Sequence, residues 1–468
     1  MLASSRSGER VFAGFIVIYG IALLACLSLR PLWLDEVLQL AGTMTSSVAA
    51  LLRWIPYNIG ASPLGYLVQR PFVLAAGPSP FWARLPAAAF SVAACVSMVA
   101  LCRALDLPRR AWLFSLLLFA IVPSQFRYAV EARPYSQALW LSTLSITLLL
   151  NLFKSPTATK FGIFTLVNVA ALYTQPYSAL PAIGMTVWAF CTGLYHDRRR
   201  IALRAAVCWI VPIALYIPWY LYSWPAWHVG EQNSAIPKFH WTAGLAQDVF
   251  KALSGSNFLA SLLLLALVIV GLIAPLLPRQ LSLLLLFSTG FVVGSVLIAD
   301  AWKGYFFAAR QILFAVPVLV VLAGVGLWRC FERSRPLGTI LLIGLCGLFL
   351  KTDLSIASTN TENWEAAAKA LEKTAGQGYC LKFAAEQLGG VALYAVYVPA
   401  LRSHICGPLQ TESKVAVVWH RYLPPSDVTV AEEEVRTAGF LPVQRLMIGG
   451  TTIQQELIQG RGKTSPGR

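Results

Sequence analysis

Charge is what this sequence has least of. Only 12% of its 468 residues are Asp, Glu, Lys or Arg, while 57% are hydrophobic. A water-soluble domain carries about 25% charged residues, so a chain surrounded by water is excluded. Acids are the scarcer sign, 21 against 37 Lys and Arg, which leaves a net charge of +16. That excess does not build a nucleic-acid surface, because the basic residues are scattered over short segments. Histidine is rarer still, with five in the chain. His228 and His240 share the loop 223–256 without an adjoining ligand set, which argues against a zinc site. No A-x-A-like cleavage site follows the basic start "MLASSRSGER" and the apolar run from Val11 to Leu29. That run is therefore an uncleaved first helix and not a signal peptide. No repeat or low-complexity tract breaks the chain.

What is there in abundance is apolar sequence of bilayer length. Runs at 11–29, 82–102, 111–127, 135–153, 161–177, 178–195, 205–222, 257–277, 281–299, 311–328 and 337–352 predict about eleven transmembrane helices. The stretch 61–77 is apolar but broken by Pro63 and Pro71, which predicts an interfacial or re-entrant segment. With the N-terminus in the cytoplasm, the inside segments hold 15 basic residues (Arg6, Arg10, Arg103, Arg109, Arg110, Lys154, Lys160, Arg198, Arg199, Arg200, Arg204, Arg279, Arg329, Arg333, Arg335) against 4 acids (Glu9, Asp106, Asp197, Glu332). Every inside loop is then basic, as the positive-inside rule requires. The net charge is mostly topology.

From about residue 355 the character changes. Residues 355–468 hold 11 basic and 10 acidic residues and alternating runs such as "KVAVVWH". "TENWEAAAKALEKT" reads as an amphipathic helix capped near Thr361 or Asn363. The organisation expected is a transmembrane domain over 1–354, with a first outer loop at 30–81, and a small α/β domain outside the membrane over 355–468. Its tail after Gly460 is expected to be disordered. Seven of the nine cysteines lie in or beside spans, where Cys acts as a small hydrophobe. Cys380 and Cys406 lie in the C-terminal domain, as a disulfide or as two free thiols.

Polar residues that topology does not use fall mainly on the outer side. They are Asp35 and Glu36 in "LWLDE", Arg53, Ser62, Arg70, Arg84, Arg127, Glu131 and Arg133 in "RYAVEARPY", Gln175, Asp300, Lys303 and Arg310. An ionised group at membrane depth costs roughly 2.5–3.5 kcal/mol on insertion scales. Carboxylates and guanidiniums gathered on one side predict a polar cleft for an anion with a long apolar tail. The plainer readings are an N-cap for Asp35, a structural ion pair for Glu131 and Arg133, snorkelling for Lys303 and Arg310, packing for Tyr135, and interfacial anchoring for Trp33 and "YSWPAWHVG".

"LWLDE" after the first helix, "SPLGYLVQRPFVLAAGPSPFWARLPAAAFSV", "YAVEARPYS", "YIPWYLYS" and "AARQILFAVPVLVVLAG" resemble, in order and spacing over about residues 11–330, the landmarks of GT-C membrane glycosyltransferases. The branch they resemble includes protein O-mannosyltransferases, lipid A aminoarabinose transferases and related lipopolysaccharide-modifying enzymes. The resemblance implies a bacterial inner-membrane enzyme. It would move a sugar from a polyprenyl-phosphate donor to a glycolipid or protein acceptor on the outer face. It implies Asp35 as general base, Glu36 as its helper and Glu131 as a second cavity carboxylate. Arg133, Lys303, Arg310 and, less directly, Arg84 would meet the donor phosphate, with Tyr135 and Gln175 at the cavity wall. Two positions depart from the family pattern. Ser62-Pro63-Leu64 stands where His-Pro-Pro is common, and Gln175 where a His is common. Both departures weaken a His-ligated metal, although two carboxylates could hold a divalent cation on the phosphate. A transporter or flippase for a charged lipid would need a similar cavity. It would favour internal repeats and polar groups at mid-depth, and the sequence has neither.

Overall fold

The computed structural model describes residues 2–58, 60–192, 199–233, 240–242, 244–304, 307–359, 362–385, 390–420, 423, 425–448 and 453–460. Helix α1 (Leu2–Cys26) leads into α2 (Leu34–Thr43), α3 (Val48–Trp54) and α4 (Pro63–Ala76). Then come α5 (Pro80–Ala104), α6 (Arg109–Ile121), α7 (Pro123–Ala129), α8 (Tyr135–Lys154) and α9 (Ala158–Thr174). The middle of the chain gives α10 (Leu180–Thr192), α11 (Arg199–Cys208), α12 (Ile210–Asn233), α13 (Leu245–Ser254) and α14 (Phe258–Ile273). The last membrane helices are α15 (Arg279–Lys303), the short α16 (Ala309–Ile312), α17 (Val316–Arg333) and α18 (Arg335–Ser358).

Among the described residues, six helices are long and apolar enough to cross a bilayer: α5, α8, Leu203–His228, α15, Ala309–Arg333 and α18. Two bent pairs bring the number to eight if each pair is one span. The α6–α7 pair bends by 56° at Pro123, which has no N–H to continue the helix. The α13–α14 pair bends by 78° beside Gly255, whose φ of +70° suits glycine. Each of the eleven expected spans falls on a helix. Among them α9, with 17 residues, is shorter than the six long apolar helices. At about 1.5 Å per residue, a 30 Å core takes about 20 residues. The 61–77 stretch is α4, 14 residues with Pro71 inside, too short to span.

The membrane bundle closes around one apolar core, in which α17 packs on α6 and α14, and α8 on α5. Gly271 and Gly326 let α14 and α17 touch backbone to backbone. A Cβ on either would stand 2.0 Å from a carbonyl oxygen of the other helix. Small residues permit this approach where lipid offers no hydrophobic drive to helix association.

The C-terminal domain adds α19 (Trp364–Gly376), α20 (Val391–Tyr394) and α21 (Pro425–Thr437) to strands β1 (Cys380–Phe383), β2 (Lys414–His420), β3 (Phe440–Ile448) and β4 (Ile453–Gly460). The sheet order is β1-β2-β4-β3, with β1 parallel to β2 and the other pairs antiparallel. "KVAVVWH" is the central strand β2. The Asn363 side chain accepts the Ala366 amide and caps α19. Thr361 and the tail after Gly460 lie outside the described residues. Helix α18 runs to Ser358, so the expected boundary at 354/355 falls within its last turn. Of the two options for the domain's cysteines, the structure has the disulfide Cys380–Cys406. A second apolar core joins this domain to α2: Leu32, Val37 and Leu40 share it with Trp364, Leu371, Leu381, Leu393 and Leu401.

Candidate active site

The two adjacent acids of "LWLDE" open α2, so their side chains leave the helix about 100° apart. Glu36 turns inward and is fully buried. Its Oε1 accepts Arg84 Nε at 2.7 Å and the Ala132 amide at 2.6 Å. Its Oε2 accepts Arg84 Nη2 at 2.7 Å and the Trp33 amide at 3.1 Å. Burial alone would raise its pKa. The Arg84 guanidinium more than offsets this and holds the carboxyl below its ordinary value. Arg84 spends its remaining N–H groups on the carbonyls of Leu27, Arg30 and Pro31. All five donors are thus used. In this arrangement Arg84, expected near the donor phosphate, has no N–H left for it. Both oxygens of Glu36, expected as a helper of Asp35, are likewise occupied.

Asp35 turns the other way and stays partly open. Its Oδ2 is 3.6 Å from Arg310 Nη1, with the side chains 23% and 28% exposed. Arg310 comes from α16, just ahead of α17. Arg133 Nη1 donates to the Asp35 carbonyl at 3.2 Å, and its Nη2 to Tyr135 Oη at 3.4 Å. The Arg133 guanidinium lies 5.6 Å from the centroid of the Tyr135 ring. Its Nε is buried and has no hydrogen-bond partner. The structure therefore brings Asp35, Arg133, Tyr135 and Arg310 together.

Glu131 is 3% exposed, one residue before the Ala132 amide that Glu36 holds. Burial, with Glu36 nearby, pushes its carboxyl up to about 7. Gln175 caps α9, and its carbonyl accepts from Ser178 Oγ at 2.6 Å. Lys303 ends α15 with its ammonium 3.9 Å from the centroid of Trp224. Among the described contacts, neither Gln175 nor Lys303 joins the Asp35 group. His228 stacks on Trp224 at 5.7 Å. No three His, Cys, Asp or Glu side chains gather as a ligand set among the described residues. In this arrangement Asp35 and Glu36 each face a guanidinium.

Supporting residues surround this group; of these, only Arg70 stands out in the sequence, as one of the outer polar residues. Arg70 donates to the carbonyls of Thr43 and Thr45 at 2.5 and 2.8 Å and ties down the far end of α2. Gln39 and Gln69 bond at 3.1 Å, and Gln69 reaches the Ala83 carbonyl at 2.8 Å. Gly65 lets α4 lie directly on "EARPY", because a Cβ there would stand 2.3 Å from Pro134 Cβ. Glu362, from the C-terminal domain, accepts the Leu34 amide at 2.7 Å. Apart from Arg70, only the glycine has a local signal, and it is a weak one.

The arrangement matches solved structures across nearly the whole chain. ArnT from Cupriavidus metallidurans, in its apo state, superimposes with a TM-score of 0.66 at 13% identity, over 97% of this chain and 98% of that one. The Archaeoglobus fulgidus oligosaccharyltransferase tethered to an acceptor peptide gives 0.56 at 12% identity, over 94% and 73%. The arabinofuranosyltransferase AftD from Mycobacteria gives 0.55 at 14% identity, over 96% and 40%. This chain has the GT-C fold. At these identities the likeness is one of architecture. The helices that carry Asp35, Arg133 and Arg310 are thus part of a GT-C membrane domain with a small C-terminal α/β domain behind it. ArnT has also been solved with undecaprenyl phosphate bound, and that structure superimposes with a TM-score of 0.63. No protein-family model and no curated protein matches the sequence.

Proposed function

We propose that this protein is an integral membrane glycosyltransferase of the bacterial inner membrane. It moves a sugar from a polyprenyl-phosphate donor to a glycolipid or protein acceptor at the outer face. The observation that carries this reading is a partly open carboxylate, Asp35, facing one arginine and backed by another on a GT-C scaffold. The same fold in proteins solved with undecaprenyl phosphate or with an acceptor peptide supports it. The basic inside loops support an outward-facing site and an outward-facing C-terminal domain.

In this mechanism Arg310 leaves Asp35 for the donor phosphate when the lipid binds, and Arg133 flanks it. Asp35 is then free to take a proton from the acceptor hydroxyl or amine. The acceptor atom bonds to the anomeric carbon as the bond from that carbon to the phosphate oxygen breaks. The bonding pair leaves with the lipid phosphate, whose growing charge the fixed guanidiniums stabilise. In-line attack inverts the anomeric centre. Tyr135 orients Arg133, and Glu131 lies behind the site. Lys303, held over Trp224, is an interfacial residue in this reading.

The test is transfer of a labelled sugar from polyprenyl-phosphate donors to candidate acceptors by the purified protein in lipid, repeated with Asp35→Asn. Loss of transfer in the variant is expected. If the wild type moves labelled lipid across vesicles and transfers no sugar, the protein is a flippase and the reading fails. Full activity in Asp35→Asn removes the base assignment alone.

A further inference from the structure

The C-terminal domain reaches the site through one carboxylate. Helix α2 starts at Leu34, and its N-cap position is Trp33, whose side chain makes no cap hydrogen bond. Such a helix start leaves N–H groups that need acceptors from elsewhere. Glu36 takes the Trp33 amide. The Leu34 amide donates to Glu362 Oε2 at 2.7 Å, across 328 positions of sequence. The same oxygen accepts Trp364 Nε1 at 2.8 Å. Glu362 is 3% exposed and Trp364 fully buried. The Trp364 ring is itself set between Tyr394 and His420, with centroids 5.4 Å from each. A carboxylate fixed by the core of one domain therefore caps the helix of the other, at the residue immediately before Asp35. Its charge also sits at the positive end of the α2 dipole.

We infer that Glu362 is a positioning residue for transfer: it locks the first turn of α2 and so fixes where Asp35 points. This rests on Asp35 being the base. It gives the C-terminal domain a direct part in the reaction, as the support of the site and not only as its cover. Glu362→Ala removes the cap, whereas Glu362→Gln keeps an amide oxygen that can accept the same two N–H groups.

The test combines steady-state transfer with hydrogen exchange of the α2 amides, on the full-length protein in lipid. Glu362→Ala is expected to lower kcat about tenfold, the scale of one lost cap, with KM for the donor unchanged. Exchange at the start of α2 should quicken by about the same factor. Glu362→Gln should restore both. Leu34→Pro offers an independent route. Proline is favoured at the first helical position, and Trp33, at φ −97° and ψ 172°, already has the conformation a following proline requires. This variant deletes the donor N–H together with the Leu34 side chain, which packs on the shared core, so Leu34→Ala is its control; relative to that control it should match Glu362→Ala and add nothing to it. If Glu362→Ala does not fold, Leu34→Pro against Leu34→Ala decides. Normal kcat and unchanged exchange in either variant overturn the inference, as does a Gln variant as impaired as the Ala one. If the wild type transfers no sugar, the base reading fails, and the exchange data still decide whether Glu362 clamps α2.

Discussion

Arg310 Nη1 stands 3.6 Å from Asp35 Oδ2, and each side chain keeps about a quarter of its surface open. That distance is an ion pair and too long for a good hydrogen bond. A pair this loose and this wet contributes little to stability, about 0–1 kcal/mol. Its placement fits a guanidinium that changes partner when a phosphate arrives.

Replacing either member should therefore leave the fold intact and stop the chemistry. Asp35→Asn is expected to lower kcat by roughly 10²–10⁴, the range for a lost general base. Arg310→Gln should lower it by roughly 10²–10³ through loss of phosphate stabilisation. The double variant should fall well short of the product of the two losses, because both act on one step. Unfolding temperatures should move by no more than a few degrees. Additive losses, or an Arg310→Gln enzyme with wild-type kcat, would count against the shared role.

Glu36 and Arg84 predict the opposite pattern. Both side chains are fully buried and bonded to one another in two places. Removing one partner leaves a buried charge alone, at a cost of about 3–5 kcal/mol. Glu36→Gln and Arg84→Gln should each reduce the amount of folded protein and lower its thermal midpoint strongly in detergent. Any activity left should show an unchanged KM for the donor. A stable Arg84→Gln protein with weakened donor binding would return Arg84 to the phosphate site.

Why the two acids part company was not legible in "LWLDE". Charge and position placed both near one polar cleft, and nothing local says which acid meets an arginine inside the protein. That choice is made by the Ala132 amide and by Arg84, residues remote in sequence that only the packed bundle brings to Glu36. The helical stretches themselves were legible, because apolar runs of bilayer length have few other uses. Their bends were not, since the breaks at Pro123 and beside Gly255 leave the hydropathy of each run unchanged. Arg133 and Arg310 were found through charge at a span's end. Lys303 carried the same signal and instead lies over Trp224. Glu362 escaped notice because an acid ahead of an amphipathic helix reads as an ordinary part of that helix's start.

The disulfide Cys380–Cys406 closes a loop with a sequence separation of 26 inside the C-terminal domain. Closing a loop of this size removes unfolded-state entropy worth about 3 kcal/mol. Cys380 and Cys406 lie beside Val415 and Val417 of β2, at the far side of the sheet from the core shared with α2. Reduction, or the paired Cys380→Ser and Cys406→Ser substitutions, should lower the stability of this domain measurably. Thermal melts followed by a probe in the domain, with and without reductant, check this. A midpoint insensitive to reductant in the wild type would contradict it.

Glu131 supplies the pH dependence. Burial lifts its carboxyl from 4.5 to about 7, with Glu36 nearby adding to the effect. An acid whose folded pKa is raised keeps its proton in the folded protein at pH values where the unfolded chain has lost it. The folded state then binds more protons, so stability falls as pH rises. This contribution is absent below the unfolded pKa near 4.5, grows between 4.5 and about 7, and levels off above. At about 1.4 kcal/mol per pH unit, the full span amounts to roughly 3 kcal/mol. Glu131→Gln mimics the protonated acid and should remove that slope. Its thermal midpoint should equal the wild-type value near pH 4.5 and exceed it at pH 8. Because Glu131 lies behind the site in this reading, the variant should keep transfer activity at pH 6, where Asp35→Asn has lost it. A Glu131→Gln protein with the same pH slope as the wild type would show that some other buried group sets it, and an inactive one at pH 6 would move Glu131 into the reaction itself.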